Sequence, residues 1–124
     1  MSTRSTIAVK HADGTVSQIY CHFDGYLDNN GVILLQHYTT QQLAEQLVSG
    51  GDMSALEYTP QQCEYHTLRG EAMHIQTFTS ITDYKRFGQD EEYNYLWDSD
   101  QWMVRCRDTD DQWVPLSDAV CLED

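Results

Sequence analysis

The sequence predicts an α+β fold: an antiparallel sheet, formed by an N-terminal hairpin and a C-terminal three-stranded meander, carrying two or three short helices. Three observations carry that expectation. An Asp13-Gly14 pair separates two β-prone runs, the strongest short hairpin signal. Residues 93–116 alternate aromatic with polar residues around two Asp-rich turns. Between these regions lie two capping signatures, each followed by apolar residues at helical spacing.

A chain of 124 residues suits one domain, residues 1–124, with one core. Its 40% hydrophobic and 11% aromatic content is too high for a disordered chain. Thr6–Lys10 forms the first strand. Val16–His22 returns with Val16, Gln18, Tyr20 and His22 on one face and Ser17, Ile19 and Cys21 on the other. Apolar groups on both faces mark this second strand as the more central of the two. Phe23–Gly31 is rich in turn residues and reads as a loop.

Val32–Tyr38 is too short for periodicity to separate strand from helix. Helix is the better reading because a second helical start follows at once. There Thr39-x-x-Gln42 gives a capping box, Leu43, Leu47 and Val48 form the apolar stripe, and Gly50-Gly51 ends it. Residues 52–71 are irregular. Met73–Thr79 alternates as a half-buried strand, and Ser80-x-x-Asp83 starts a short helix through Tyr84 and Phe87 that Gly88 stops. In the meander, Tyr93, Tyr95 and Trp97 lead to the turn Asp98-Ser99-Asp100, and Trp102, Val104 and Cys106 return. A second turn over Asp108–Asp111 leads to Gln112–Leu116, where Pro115 marks an edge strand open to pairing with a second copy.

The net charge is −13, which opposes contact with nucleic-acid phosphates and with anionic membranes. No run reaches the ~18 apolar residues of a membrane span, and Met1–Thr6 leads into no signal-peptide core. The expected setting is the cytoplasm, with Cys21, Cys63, Cys106 and Cys121 as reduced thiols. The charge is uneven. Residues 90–124 hold eleven carboxylates against Arg105 and Arg107, a balance of −9. Asp favours turns for local reasons and charged turns protect sheet edges, but neither needs so many acids. The expected binding face comprises Glu91, Glu92, Asp98, Asp100, Asp108, Asp110 and Asp111, with Trp102 or Trp113 as an aromatic anchor. A basic, nucleic-acid-binding protein site is the partner that this charge suits.

Catalytic chemistry finds little purchase. Cys21, His22 and Asp24 are close in sequence, but neighbours on a strand point to opposite faces. Cys63-x-x-His66, with His74 beyond, is an incomplete zinc pattern. The Asp108-Thr109-Asp110 turn lacks the Gly and Glu of a calcium loop. Phosphate-binding glycine loops and the G-x-S-x-G and H-E-x-x-H motifs are absent. No catalytic, metal or cofactor residues are assigned, and the expectation is a protein that is not an enzyme. Two rivals stand beside the acidic face: a binding module using the aromatic and His-bearing loop 22–38, including Tyr26 and His37, and, with less support, a small metal-assisted enzyme.

Tyr20-Cys21-His22-Phe23-Asp24-Gly25-Tyr26, followed by Leu34-Leu35-Gln36-His37-Tyr38, resembles a group of small, uncharacterised acidic proteins of tailed phages and prophages. The likeness covers the first ~55 residues well, with Phe23 where the group has Trp, and extends faintly to Tyr93–Trp97. It carries over no functional residues. It implies a setting: a phage-type accessory protein that disables a host defence protein, in the manner of anti-restriction or anti-CRISPR proteins.

Overall fold

The computed structural model describes residues 3–89 and 91–120. Six strands form one sheet in the order β3-β2-β1-β4-β5-β6. They are β1 Ser5–Lys10, β2 Val16–Cys21, β3 Gln76–Phe78, β4 Tyr93–Asp98, β5 Gln101–Cys106 and β6 Val114–Pro115. The helices are α1 Val32–His37, α2 Gln41–Ser49, α3 Ile81–Phe87 and α4 Leu116–Val120. Among the described residues, no helix is long and apolar enough to cross a membrane.

The α+β class, the N-terminal hairpin and the meander are all present, but the sheet is mixed rather than antiparallel. β1 lies parallel to β4, with Ile7 beside Tyr95 and Val9 beside Trp97. The reason is the connection. Strand β3 pairs antiparallel to β2, and α3 then carries the chain back across two intervening strands. A strand that follows such a crossover must run in the direction of the one before it. The centrality of the hairpin is also reversed: β1 occupies the middle of the sheet and is buried along five of its six residues, while β2 is partly open.

The helix over residues 32–37 forms as expected, preceded by a π-helical turn at Leu27–Gly31 that the turn-rich sequence had concealed. The cap of α2 is Thr40, not Thr39; its hydroxyl accepts from the Leu43 amide at 3.1 Å. Ser80 caps α3 by the same device, accepting from the Asp83 amide at 3.1 Å. Strand β3 is shorter than Met73–Thr79. Leu116, read as strand, instead opens α4, because Pro115 leaves no amide to continue the ladder.

Each face of the sheet is covered. Ile7, Val9, Ile19, Leu34, Leu47, Tyr95, Trp97 and Trp102 form the main core under α1, α2 and α4. Trp97 and Trp102 meet edge to face at 5.5 Å, an arrangement worth about 0.5–1.5 kcal/mol beyond its area. The opposite face packs Ala8, Val16 and Leu96 against Tyr84 of α3. A polar layer runs beside this smaller cluster. Gln18 accepts from the Gln89 amide at 2.8 Å, and Gln89 Oε1 accepts from Arg105 Nη1 at 3.1 Å.

Candidate binding surface

The chain ends of β1, β2, β4 and β5 decide where the charge gathers. The start of β4, the end of β5 and the loop after β2 meet at one end of the sheet. Three adjoining clefts open there, and Asp108 lines all of them. Around it stand Asp28 from the π-helical turn, Glu91 and Glu92 before β4, Asp111 after β5, and Asp118 of α4. Exposed Asp110 belongs to the same loop. Among the described residues, Arg107 is the one base lining these clefts. Seven carboxylates from four chain segments thus converge at one end.

Backbone geometry holds this end in shape. Residues Arg107–Thr109 form a 3₁₀ turn, and Asp110 and Asp111 follow at φ 55° and 59°. Asp tolerates this left-handed region better than most residues, though less well than Gly or Asn. The loop is closed by main-chain bonds from Asp110 N to Arg107 O and from Asp111 N to Cys106 O, both 2.9 Å. The Thr109 hydroxyl fastens it further, accepting from Cys106 N at 3.1 Å and donating to Gln112 O at 2.7 Å. Arg105 Nε adds a bond to Asp111 O at 2.9 Å. No hydrogen bond or ion pair among the described residues engages the carboxylates of Asp108, Asp110 or Asp111. The turn uses their backbone; their charge is left to the surface.

The neighbouring loop is seated by two buried groups. Gly25 lies so close to Ser5 that an added Cβ would stand 2.7 Å from the Ser5 Cβ, and the Tyr95 hydroxyl donates to the Gly25 carbonyl at 2.6 Å. Buried Asn30 donates to Ser5 Oγ at 3.2 Å. Asp24, at φ 58°, makes the turn itself. These contacts set Asp28 and half-exposed Tyr26 beside Tyr93 and Asp108. Burial, together with the negative field of Asp108, pushes the Tyr93 phenol above its ordinary range.

The residues expected from sequence therefore divide. Glu91, Glu92, Asp108, Asp110 and Asp111 come together. Asp98 and Asp100 do not: they lie at the opposite end of β5, about 20 Å away for a six-residue strand, where Asp98 faces Lys10 at 3.7 Å. Trp102 is only 3% exposed, its indole N–H donating to Tyr38 O at 2.7 Å, so it is core and not a surface anchor. Trp113 is half-buried against Tyr84, with Lys85 over its ring at 5.9 Å, away from the acidic end. Asp28 was missed because it is distant in sequence; Asp118 was counted in the acidic segment but left off the face, because the short helix α4 that carries it was not foreseen. Asp90, Cys121, Glu123 and Asp124 lie outside the described residues.

Comparison with protein-family models, curated proteins and solved structures finds no match to this chain.

The alternative sites can also be placed. Cys21 is buried, near Asn30 Nδ2 at 3.5 Å, and burial pushes its thiol up to about 11; His37 stands elsewhere, stacked on Tyr58 at 4.5 Å. Cys63 is buried and accepts from the Glu57 amide at 3.3 Å, while His66 faces Glu71 at 3.8 Å and His74 faces Asp52 at 2.9 Å. Among the described residues, no group of three or more His, Cys, Asp or Glu could hold a metal ion. Tyr95 and Asn30 seat the start of loop 22–38, and Phe23, Tyr26 and Tyr58 are left exposed.

Proposed function

We propose that this chain is a phage-type accessory protein that binds and inhibits a host defence protein, presenting its acidic end to a basic site that otherwise holds nucleic acid. The carrying observation is the convergence of Asp28, Glu91, Glu92, Asp108, Asp110, Asp111 and Asp118 with Arg107 as the one base among them. Such a field steers a cationic surface and repels anionic ones. The anti-restriction or anti-CRISPR setting comes from the resemblance of the Tyr20–Tyr26 segment, and the host cytoplasm is the compartment it implies.

The test is competition. A partner recovered from host lysate should release a labelled DNA or RNA duplex as this protein is added, and raised salt should weaken both complexes. Simultaneous binding of duplex and protein would rule out occupation of the nucleic-acid site.

A second reading has its own support. His37, Tyr58 and Phe23 form an exposed aromatic patch, with Phe23 and Tyr58 lining one small cleft. In that reading the patch docks a partner and the charge serves solubility. Alanine at His37 and Tyr58 would then abolish capture, whereas the acidic-end reading expects capture to survive.

A further inference from the structure

One of the three clefts at the acidic end differs from the others in having a mainly apolar lining. It measures about 450 Å³; Leu27, Val114, Pro115 and Ala119 supply its apolar part, and Asp108, Thr109 and Asp118 complete the lining. We infer that this cleft takes the side chain of a Lys or Arg from the partner, its aliphatic stem on the apolar part and its cationic head between the two carboxylates. The inference rests on the reading of the acidic end as a docking face, and it names the chemistry that the face selects.

Complementarity favours this occupant over others. A purely apolar group would bring nothing to the charge of Asp108 and Asp118. An anionic group would meet Asp108, Asp118 and the neighbouring Asp28 and Glu92. A second copy of the chain would bring another −13 against the same carboxylates. A long cationic side chain satisfies both parts, since Lys and Arg lay their methylenes on apolar surface and keep the charge at its edge. The neighbouring cleft, lined by Glu91, Glu92, Tyr93, Arg107, Asp108 and Asp111, is more polar and already holds a cation of its own.

The experiment uses the whole chain and two fluorescent peptides of equal charge. One alternates Gly with Lys; the other carries diaminobutyrate in place of Lys, two methylenes shorter. The Lys peptide should bind about ten-fold more tightly, the worth of roughly two buried methylenes. Ala119→Leu, which fills the apolar part, should lower the affinity for the Lys peptide to that for the shorter one. Equal, salt-sensitive affinities for the two peptides would overturn the cleft while leaving the acidic docking face intact. Failure of both peptides to bind would overturn the docking face and the cleft with it. Sedimentation showing a dimer that Ala119→Leu dissociates would assign the cleft to a second copy instead.

Discussion

Arg105 bonds the main chain of Asp111 and not its carboxylate: Nε donates to the Asp111 carbonyl at 2.9 Å while Nη1 donates to Gln89 at 3.1 Å. One guanidinium thus ties the acidic loop to the polar layer beneath α3 without neutralising the loop. Gln89 is nearly buried and held at φ 56°, a conformation that persists only when its surroundings fix it. Arg105→Ala leaves Gln89 Oε1 without its donor, and the loss should be about 1–3 kcal/mol by urea denaturation. Arg105→Lys should recover only part, because an ammonium lacks the fork that reaches both acceptors.

The second prediction concerns the β4–β5 turn. Asp98 pairs with Gln101, leaving Ser99 and Asp100 as a two-residue loop at φ 55° and 64°. Both residues having positive φ is the type I′ arrangement, which Asn-Gly fits best. The double substitution Ser99→Asn, Asp100→Gly should raise the urea midpoint by an amount equal to about 1 kcal/mol, with an unchanged slope.

Gly25 and Tyr95 give the third. Gly25→Ala drives a methyl into Ser5 and should cost about 1–3 kcal/mol. Tyr95→Phe leaves the Gly25 carbonyl without its donor, at about the same cost. Either change should also raise amide exchange across residues 24–31, while exchange in α2 stays as in the parent.

How far the fold was legible follows from where its signals are local. Hairpin turns, caps and alternation depend on residues a few positions apart, so the Asp13-Gly14 turn, the Ser80 cap and the Pro115 edge were readable. The parallel β1–β4 pair was not, because it depends on α3 crossing two strands, and nothing in Ser5–Lys10 records which strand will lie beside it. The candidate surface divides in the same way. Asp108, Asp110 and Asp111 announce themselves as a run. Asp98 and Asp100 look like part of it until a strand's length separates them, and Asp28 joins only once Tyr95 seats the loop at Gly25. Trp102 misled because alternation gives a face without saying what covers it; here the cover is Tyr38.

The pH dependence has a definite sign on the alkaline side. Burial raises the Cys21 thiol from 9.0 to about 11 and raises the phenols of Tyr38, Tyr84 and Tyr95. A group whose folded pKa is raised stabilises fully below its unfolded value and loses that contribution as pH climbs toward the folded one. Stability should therefore fall from pH 9.0 upward, first through the buried thiols of Cys21, Cys63 and Cys106 and then, above the ordinary phenol value of 10.0, through the tyrosines. Cys21→Ala should flatten the earlier part of that decline. Tyrosinate absorbance should show the buried phenols titrating only with the loss of circular dichroism.

The central claim is that one end of the sheet, and not the charge of the chain as a whole, engages the partner. Its most direct test is capture from host lysate by three versions of this protein: the parent, Asp108→Asn/Asp110→Asn/Asp111→Asn, and Asp98→Asn/Asp100→Asn. The first set of substitutions should release the captured protein at low salt, while the second should retain it as the parent does. Equal retention by all three proteins, or equal loss from both variants, would contradict it.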